Sequence, residues 1–322
     1  MSSRPPISHL QAVLLLLLAT VLWGLSFPVI KAIMLLQQKN VPEGGTWFVT
    51  ACALGPRFVL GAVILALFRP VRFWQFTPGE LKQGLVMGLF ASGGMLFQID
   101  GMQFTSASTS AFLTQFCAIM IPVYLAVRHR RNPGWLVWVS CGLVLAGVAI
   151  LGRFDWSKLR FGRGEWETLL GTVFFTGQIL WLDKKEFAAN RAGKITLLLF
   201  AVQGLVFGTV VLATAPAGGA LPALWAAPGW LELTLVLTLV CTLGPFGIMN
   251  SCQPRITATE AGLIYCAEPI FASAAALFLP AWLSLLGEIE YSNEEITRNL
   301  LIGGSLITIA NVLIQLKPPA KP

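Results

Sequence analysis

Apolar residues run through this chain in stretches of about twenty, separated by short polar punctuation. A run of that length crosses a bilayer as one helix, because about 20 residues at ~1.5 Å each cover a hydrocarbon core of ~30 Å. The pattern predicts ten spans, at roughly 10–35, 46–68, 82–103, 106–127, 134–152, 167–186, 194–215, 229–252, 257–280 and 299–316. The connections are short, and no linker or low-complexity segment marks off a soluble domain. The first run follows MSSRPPISHLQ, is longer than a signal-peptide core, and is interrupted by Trp23, Pro28 and Lys31. It reads as an uncleaved first span.

Composition agrees with a membrane solvent. The 322 residues are 56% hydrophobic and 11% charged, with a mean hydropathy of +0.73, whereas soluble domains are about a quarter charged. The net charge of +7 would suit a nucleic-acid partner. No RNP, zinc-finger or helix-turn-helix pattern supports one, so no such partner is expected. The basic residues instead follow the loops. With the N-terminus inside, fourteen of the 22 Lys and Arg fall on the cytoplasmic side and six on the outer side, with Lys31 and Arg57 inside spans. That bias predicts cytoplasmic termini, and a plasma (inner) membrane location is expected. All six cysteines sit in apolar runs without a CxxC pair, and read as buried thiols rather than a disulfide framework or metal site. The two histidines, His9 and His129, lie outside the spans. No metal site and no cofactor are expected.

Two stretches look like copies of one another. SASTSAFLTQFCAIM begins at Ser106, and TATEAGLIYCAEPIF begins 151 positions on, at Thr257. In this register Ser106 meets Thr257, Thr109 meets Glu260 and Cys117 meets Glu268. Other matches agree: Thr20-Val21 with Thr172-Val173, Gly93-Gly94 with Gly244-Pro245, and Gly142–Gly147 with Gly304–Ala310. Five spans per copy is an odd number, so the copies must lie upside down to each other. The expected fold class is all-α: a polytopic membrane protein of ten transmembrane helices in two inverted five-helix repeats, 1–153 and 164–318. Inverted repeats are a mark of secondary transporters, with the substrate site between the halves. The offset grows to 163 between spans five and ten, from Gly147 to Ala310, which places about a dozen extra residues in the outer segment 281–299. A plain solvated loop is favoured there over a cap on the outer mouth.

Taken together, WGLSFPVIKA (Trp23 to Ala32), GPRFVLGAVILAL (Gly55 to Leu67), the SASTSAFLT start of span four and RITATEAGLIYCAEPIFA (Arg255 to Ala272) resemble the drug/metabolite transporter superfamily, in its EamA-like ten-helix branch. The resemblance covers nearly the whole chain. It implies ten helices around a central cavity that exports or exchanges small metabolites such as amino acids. The first copy departs from the second in having Cys117-Ala118 against Glu268-Pro269.

Glu268 is the foremost candidate, because a charge at mid-depth costs about 2.5–3.5 kcal/mol on insertion scales. Arg57 in span two lies at matched depth. A buried Arg57–Glu268 pair that locks two helices is the simpler reading, and is favoured over a proton carrier. Glu260 suits a cytoplasmic gate or a favourable acid in a first helical turn. Lys31 suits snorkelling, and Asp100 an interfacial position. Substrate-cavity candidates are Trp23, Phe27, Gln98, Ser108, Phe112, Gln115, Gln178, Trp181, Asn250 and Tyr265, which together would make an apolar pocket with a few amides and hydroxyls. For each aromatic, packing or lipid contact is the competing reading. The GxxxG spacings Gly84/Gly88 and Gly204/Gly208 suit close helix approach.

A secondary transporter working by alternating access on a small-molecule metabolite is therefore the leading expectation. An intramembrane enzyme lacks support, since no HExxH, GxSxG or Walker A pattern occurs. A scaffold or receptor would not need acids at mid-depth. The lipid bilayer is the other expected partner. No oligomeric state is fixed by the sequence, and a monomer suffices for the plan.

Overall fold

The computed structural model describes residues 7–68, 74–105, 107–130, 132–151, 161–216 and 219–315, with the side chains of 107–109, 111 and 315 outside that description. Within these residues the chain is helical and has no strand. The helices are α1 His9–Asn40, α2 Thr46–Leu67, α3 Pro78–Gly101, α4 Ala107–Thr114, α5 Cys117–His129, α6 Trp135–Leu151, α7 Arg163–Leu182 and α8 Ala192–Thr214. They continue with α9 Ala220–Trp225, α10 Trp230–Thr238, α11 Gly244–Cys252, α12 Ala258–Tyr265, α13 Glu268–Ala276, α14 Leu279–Gly287 and α15 Arg298–Gln315. By length and apolarity, five helical stretches among the described residues can cross a membrane: His9–Asn40, Thr46–Leu67, Phe112–His129, Ala192–Thr214 and Trp230–Arg255. The bent pair Ala258–Ala276 and Leu279–Gly287 makes up to six, and Trp135–Leu151 and Arg298–Ile314 are shorter apolar helices. This is a multi-pass, all-α membrane fold.

Three of the apolar runs are interrupted by their own chemistry. Between α4 and α5 the ladder tightens to Gln115 N–H on Phe112 O and Phe116 N–H on Leu113 O, both 3.2 Å, which is 3₁₀ geometry. Pro122 brings no N–H for Ala118 O, and the Cys141 thiol of α6 donates to that carbonyl instead, at 3.0 Å. Between α12 and α13 the ladder tightens again at Ala267 N–H on Ile264 O, 3.0 Å, next to Pro269 at the second position of α13. Between α10 and α11 a π-helical turn, Leu239–Leu243, precedes Pro245. The breaks of the first two runs match to the residue: Ala107–Thr114 and Ala258–Tyr265 are each eight residues long, and Cys117 and Glu268 each open the helix that follows.

Packing joins helices distant in sequence. α3 lies along α7 and α8, α2 along α8, α6 along α15, and α1 along α11 and α13. Gly84 and Gly88 let Leu198 and Val202 of α8 come so near that a Cβ on either would sit 2.5 Å from them. Gly147 and Gly303 allow a backbone-to-backbone crossing of α6 and α15, with Gly147 O only 2.4 Å from where a Cβ on Gly303 would stand. The main core runs through α1, α2, α3, α8 and α10, around Phe48, Phe58, Phe200 and Phe207.

Polar clusters close both ends of α3. At one end Thr77 and Glu80 form a capping box, and Glu80, 2% exposed, pairs with Arg191 at 2.8 Å and Lys194 at 3.1 Å. Lys194 also donates to Gln75 O. At the other end Asp100 is fully buried and pairs with Arg163 at 2.6 Å, which also holds Glu167 at 2.7 Å.

The extra segment after span nine departs in its first part from the solvated-loop expectation, while residues 292–296 are exposed. Its first part, α14, is an apolar helix bent 64° from the one before, with Leu283 buried and Trp282 and Leu285 outward. The rest is strapped down: Lys39 Nζ donates to Glu288 O at 2.7 Å, Ser284 Oγ to Tyr291 O at 2.6 Å, and Glu294 N–H to Ala276 O at 2.9 Å. Ile289 and Tyr291 pack on the main core. The apolar side chains of LPAWLSLL continue span nine's pattern, and so conceal a new helix that starts in a new direction.

Candidate functional site

A cavity of about 130 Å³ opens where α1, α2, α3, α7 and α11 meet the two broken runs. A single water needs only about 10–15 Å³ of such space, so the cavity is sized for a small organic molecule. Trp23, Phe27, Met95, Phe175 and Phe246 make most of its wall apolar. Polar groups enter from Ser26, Gln98, Thr114, Gln115, Gln178 and Tyr265, and the charges from Arg57 and Glu268.

Local sequence places these groups. Thr114 and Tyr265 end α4 and α12, and Cys117 and Glu268 start α5 and α13, so both breaks turn their ends onto the cavity. Gln98 donates to Thr114 Oγ1 at 3.1 Å. The Tyr265 hydroxyl donates to Gln253 Oε1 at 2.9 Å, and Gln253 donates to Ile179 O at 2.9 Å. Trp23 meets Phe246 and Tyr265 edge-on, each with ring centroids 5.4 Å apart, and among the described residues its indole N–H has no hydrogen-bond acceptor. Glu268 is half-buried. Arg57, 3% exposed, follows Pro56 in α2. Among the described residues no ion pair joins the two, although both border the cavity.

Of the residues singled out by sequence, Trp23, Phe27, Gln98, Gln115, Gln178, Tyr265, Arg57 and Glu268 are gathered here. Phe112 packs instead in the cluster of α4, α6 and α15. Trp181 meets Phe187 at a tilt, with ring centroids 5.4 Å apart, and holds Lys184 over its ring at 3.7 Å. Asn250 ties α11 to α8 through Thr196 at 2.9 Å. Ser108 has its side chain outside the described residues. Glu260 caps α12 with Thr257 and stands 3.3 Å from His9 Nε2. Lys31 is exposed, 5.1 Å from the Tyr291 ring centroid. Sequence reasoning missed Met95, Phe175, Phe246 and Met249. Phe246 and Met249 follow the Gly244-Pro245 break, which is the signal that would have found them.

A bundle of apolar helices, with broken helices turning charged and polar ends onto a buried cavity, defines a polytopic membrane protein built to hold a small molecule. Residues 10–153 match the family model of the EamA-like transporter family. An uncharacterized transporter of Archaeoglobus fulgidus is 24% identical over 317 residues, covering 97% of this chain and 88% of that protein. A solved structure, described only as the crystal structure of a protein, superposes with a TM-score of 0.67 at 14% identity, over 96% of this chain and 98% of the other. That likeness shows the fold alone. Residues 10–153 thus carry the likeness to the EamA-like transporter family, and with the transporter-named relative this supports a membrane transporter.

Proposed function

We propose that this transporter is a secondary one, exporting or exchanging a small metabolite such as an amino acid by alternating access through the cavity. The observation that carries the reading is the cavity itself, where Arg57 and Glu268 face a small buried space at the crossing of two broken helices. Two inverted repeats, 1–153 and 164–318, supply the two arrangements alternating access needs. Matched breaks at Cys117 and Glu268 support that division, as do paired contacts: α1 with α11 mirrors α7 with α3, and α1 with α13 mirrors α7 with α4 and α5. Its place is the plasma membrane, with both termini cytoplasmic, and it needs no cofactor and no nucleic acid.

Purified protein in sealed proteoliposomes tests this. Labelled amino acids enter protein-containing vesicles faster than empty ones, and Glu268→Gln lowers that flux at least about tenfold, the scale on which removing a charged hydrogen-bond partner acts, while the protein stays monodisperse. Wild-type flux no faster than in empty vesicles across a metabolite panel rejects the proposal.

A further inference from the structure

Basic side chains at the two ends of the bundle have acids beside them: Arg163 holds Asp100 and Glu167, and Arg191 and Lys194 hold Glu80. Arg57 is treated differently. It is 3% exposed, yet among the described residues it pairs with no carboxylate. Its Nη2 donates to the Met95 sulfur at 3.0 Å, a weak acceptor, its guanidinium lies 4.5 Å from the Phe58 ring centroid, and its Nε is buried without any acceptor. A planar five-donor group left in this state is prepared for a planar, two-oxygen anion.

Resting on the transporter reading, we propose that Arg57 anchors the carboxylate of the transported molecule, and that Glu268 faces the same molecule's ammonium group. One guanidinium and one carboxyl group border the cavity. A net-neutral zwitterion satisfies both, whereas a phosphate ester or a polyamine leaves one group uncompensated. The apolar wall of Trp23, Phe27 and Phe246 takes a compact apolar remainder, and the volume of about 130 Å³ limits its size. Arg57 is thus a specificity-determining residue.

L-leucine, L-leucinamide and 4-methylpentanoate separate the two ends of such a molecule. Calorimetric titration of the full-length protein in detergent is expected to show leucine binding roughly tenfold or more tighter than leucinamide, which lacks the carboxylate, the scale of a hydrogen bond to a charged group. In Arg57→Gln that ratio falls to about one and 4-methylpentanoate binding is lost, while Arg57→Lys keeps part of the preference. Equal binding of leucine and leucinamide by the wild type, or no binding of any of the three, overturns the proposal. So does an unchanged ratio in Arg57→Gln. If Arg57→Gln does not fold, the wild-type ratio and Arg57→Lys decide. Flux in proteoliposomes reads the transporter proposal separately. A carboxylate preference in binding with no flux leaves the anchor and rejects transport, whereas flux of leucinamide as fast as leucine rejects the anchor and leaves transport.

Discussion

Buried ionisable side chains here do opposite work according to their partners. In the first turn of α3, ahead of its apolar stretch, burial pushes the Glu80 carboxyl up. Hydrogen bonds from Arg191, Thr77 and Lys194 outweigh that and hold it down at about 2. Its stabilising contribution is full above the unfolded value of ~4.3 and is lost as pH falls toward about 2. Glu80→Gln is expected to cost about 3–5 kcal/mol at neutral pH, the scale of breaking a buried pair. Asp183, just past the end of α7, behaves in reverse. Burial and the nearby Glu260 raise its carboxyl to about 6, against the pull of Lys185. The folded protein therefore holds a proton that the unfolded chain releases near ~3.9, so this group's contribution is full below that value and is lost as pH rises through about 6. Asp183→Asn should raise the melting temperature at pH 7.5, with the gain vanishing toward pH ~4; a pH series of thermal melts in detergent reads both variants, and a constant gain for Asp183→Asn would contradict the assignment. Arg57 and Glu268 were legible in the sequence as charges inside apolar runs. The partnership of Glu80 with Arg191 was not, because polar residues at a span's end look the same whether they face water or a residue more than 100 positions away.

At the scale of the helix, the apolar runs revealed where helices lie but not where they break. Nothing in the hydrophobicity of SASTSAFLTQFCAIM distinguishes one helix from two, since the break is a local tightening of the backbone ladder at Gln115 and Phe116. The register of 151 nevertheless set Cys117 against Glu268, and the structure puts both at the start of a half-helix on the cavity. Pro269 leaves Tyr265 O without its helical donor. Pro269→Ala restores that N–H and is expected to join α12 and α13 into a straighter helix, carrying Glu268 off the cavity. Flux should drop while the melting temperature holds or rises, because a helix-interior proline costs ~3 kcal/mol. Unchanged flux would mean that the break does not position Glu268.

Across the whole molecule, the proposed two inverted halves make a prediction about topology. In the proposed plan of five crossings per half, five crossings separate His129 from Ser292, which would put the end of α5 and the segment after α14 on opposite faces. Both residues are exposed, and the six native cysteines are buried, so introduced thiols stand out. His129 also avoids the left-handed backbone of Arg130, at φ 51°. His129→Cys and Ser292→Cys are placed singly in a cysteine-free background and treated with a membrane-impermeant maleimide. In intact cells Ser292→Cys is expected to label and His129→Cys to remain protected; in inverted vesicles the pattern reverses. Labelling of both from the same face would mean an even number of crossings between them. The halves would then run parallel, and alternating access by exchange of two inverted repeats would lose its physical basis.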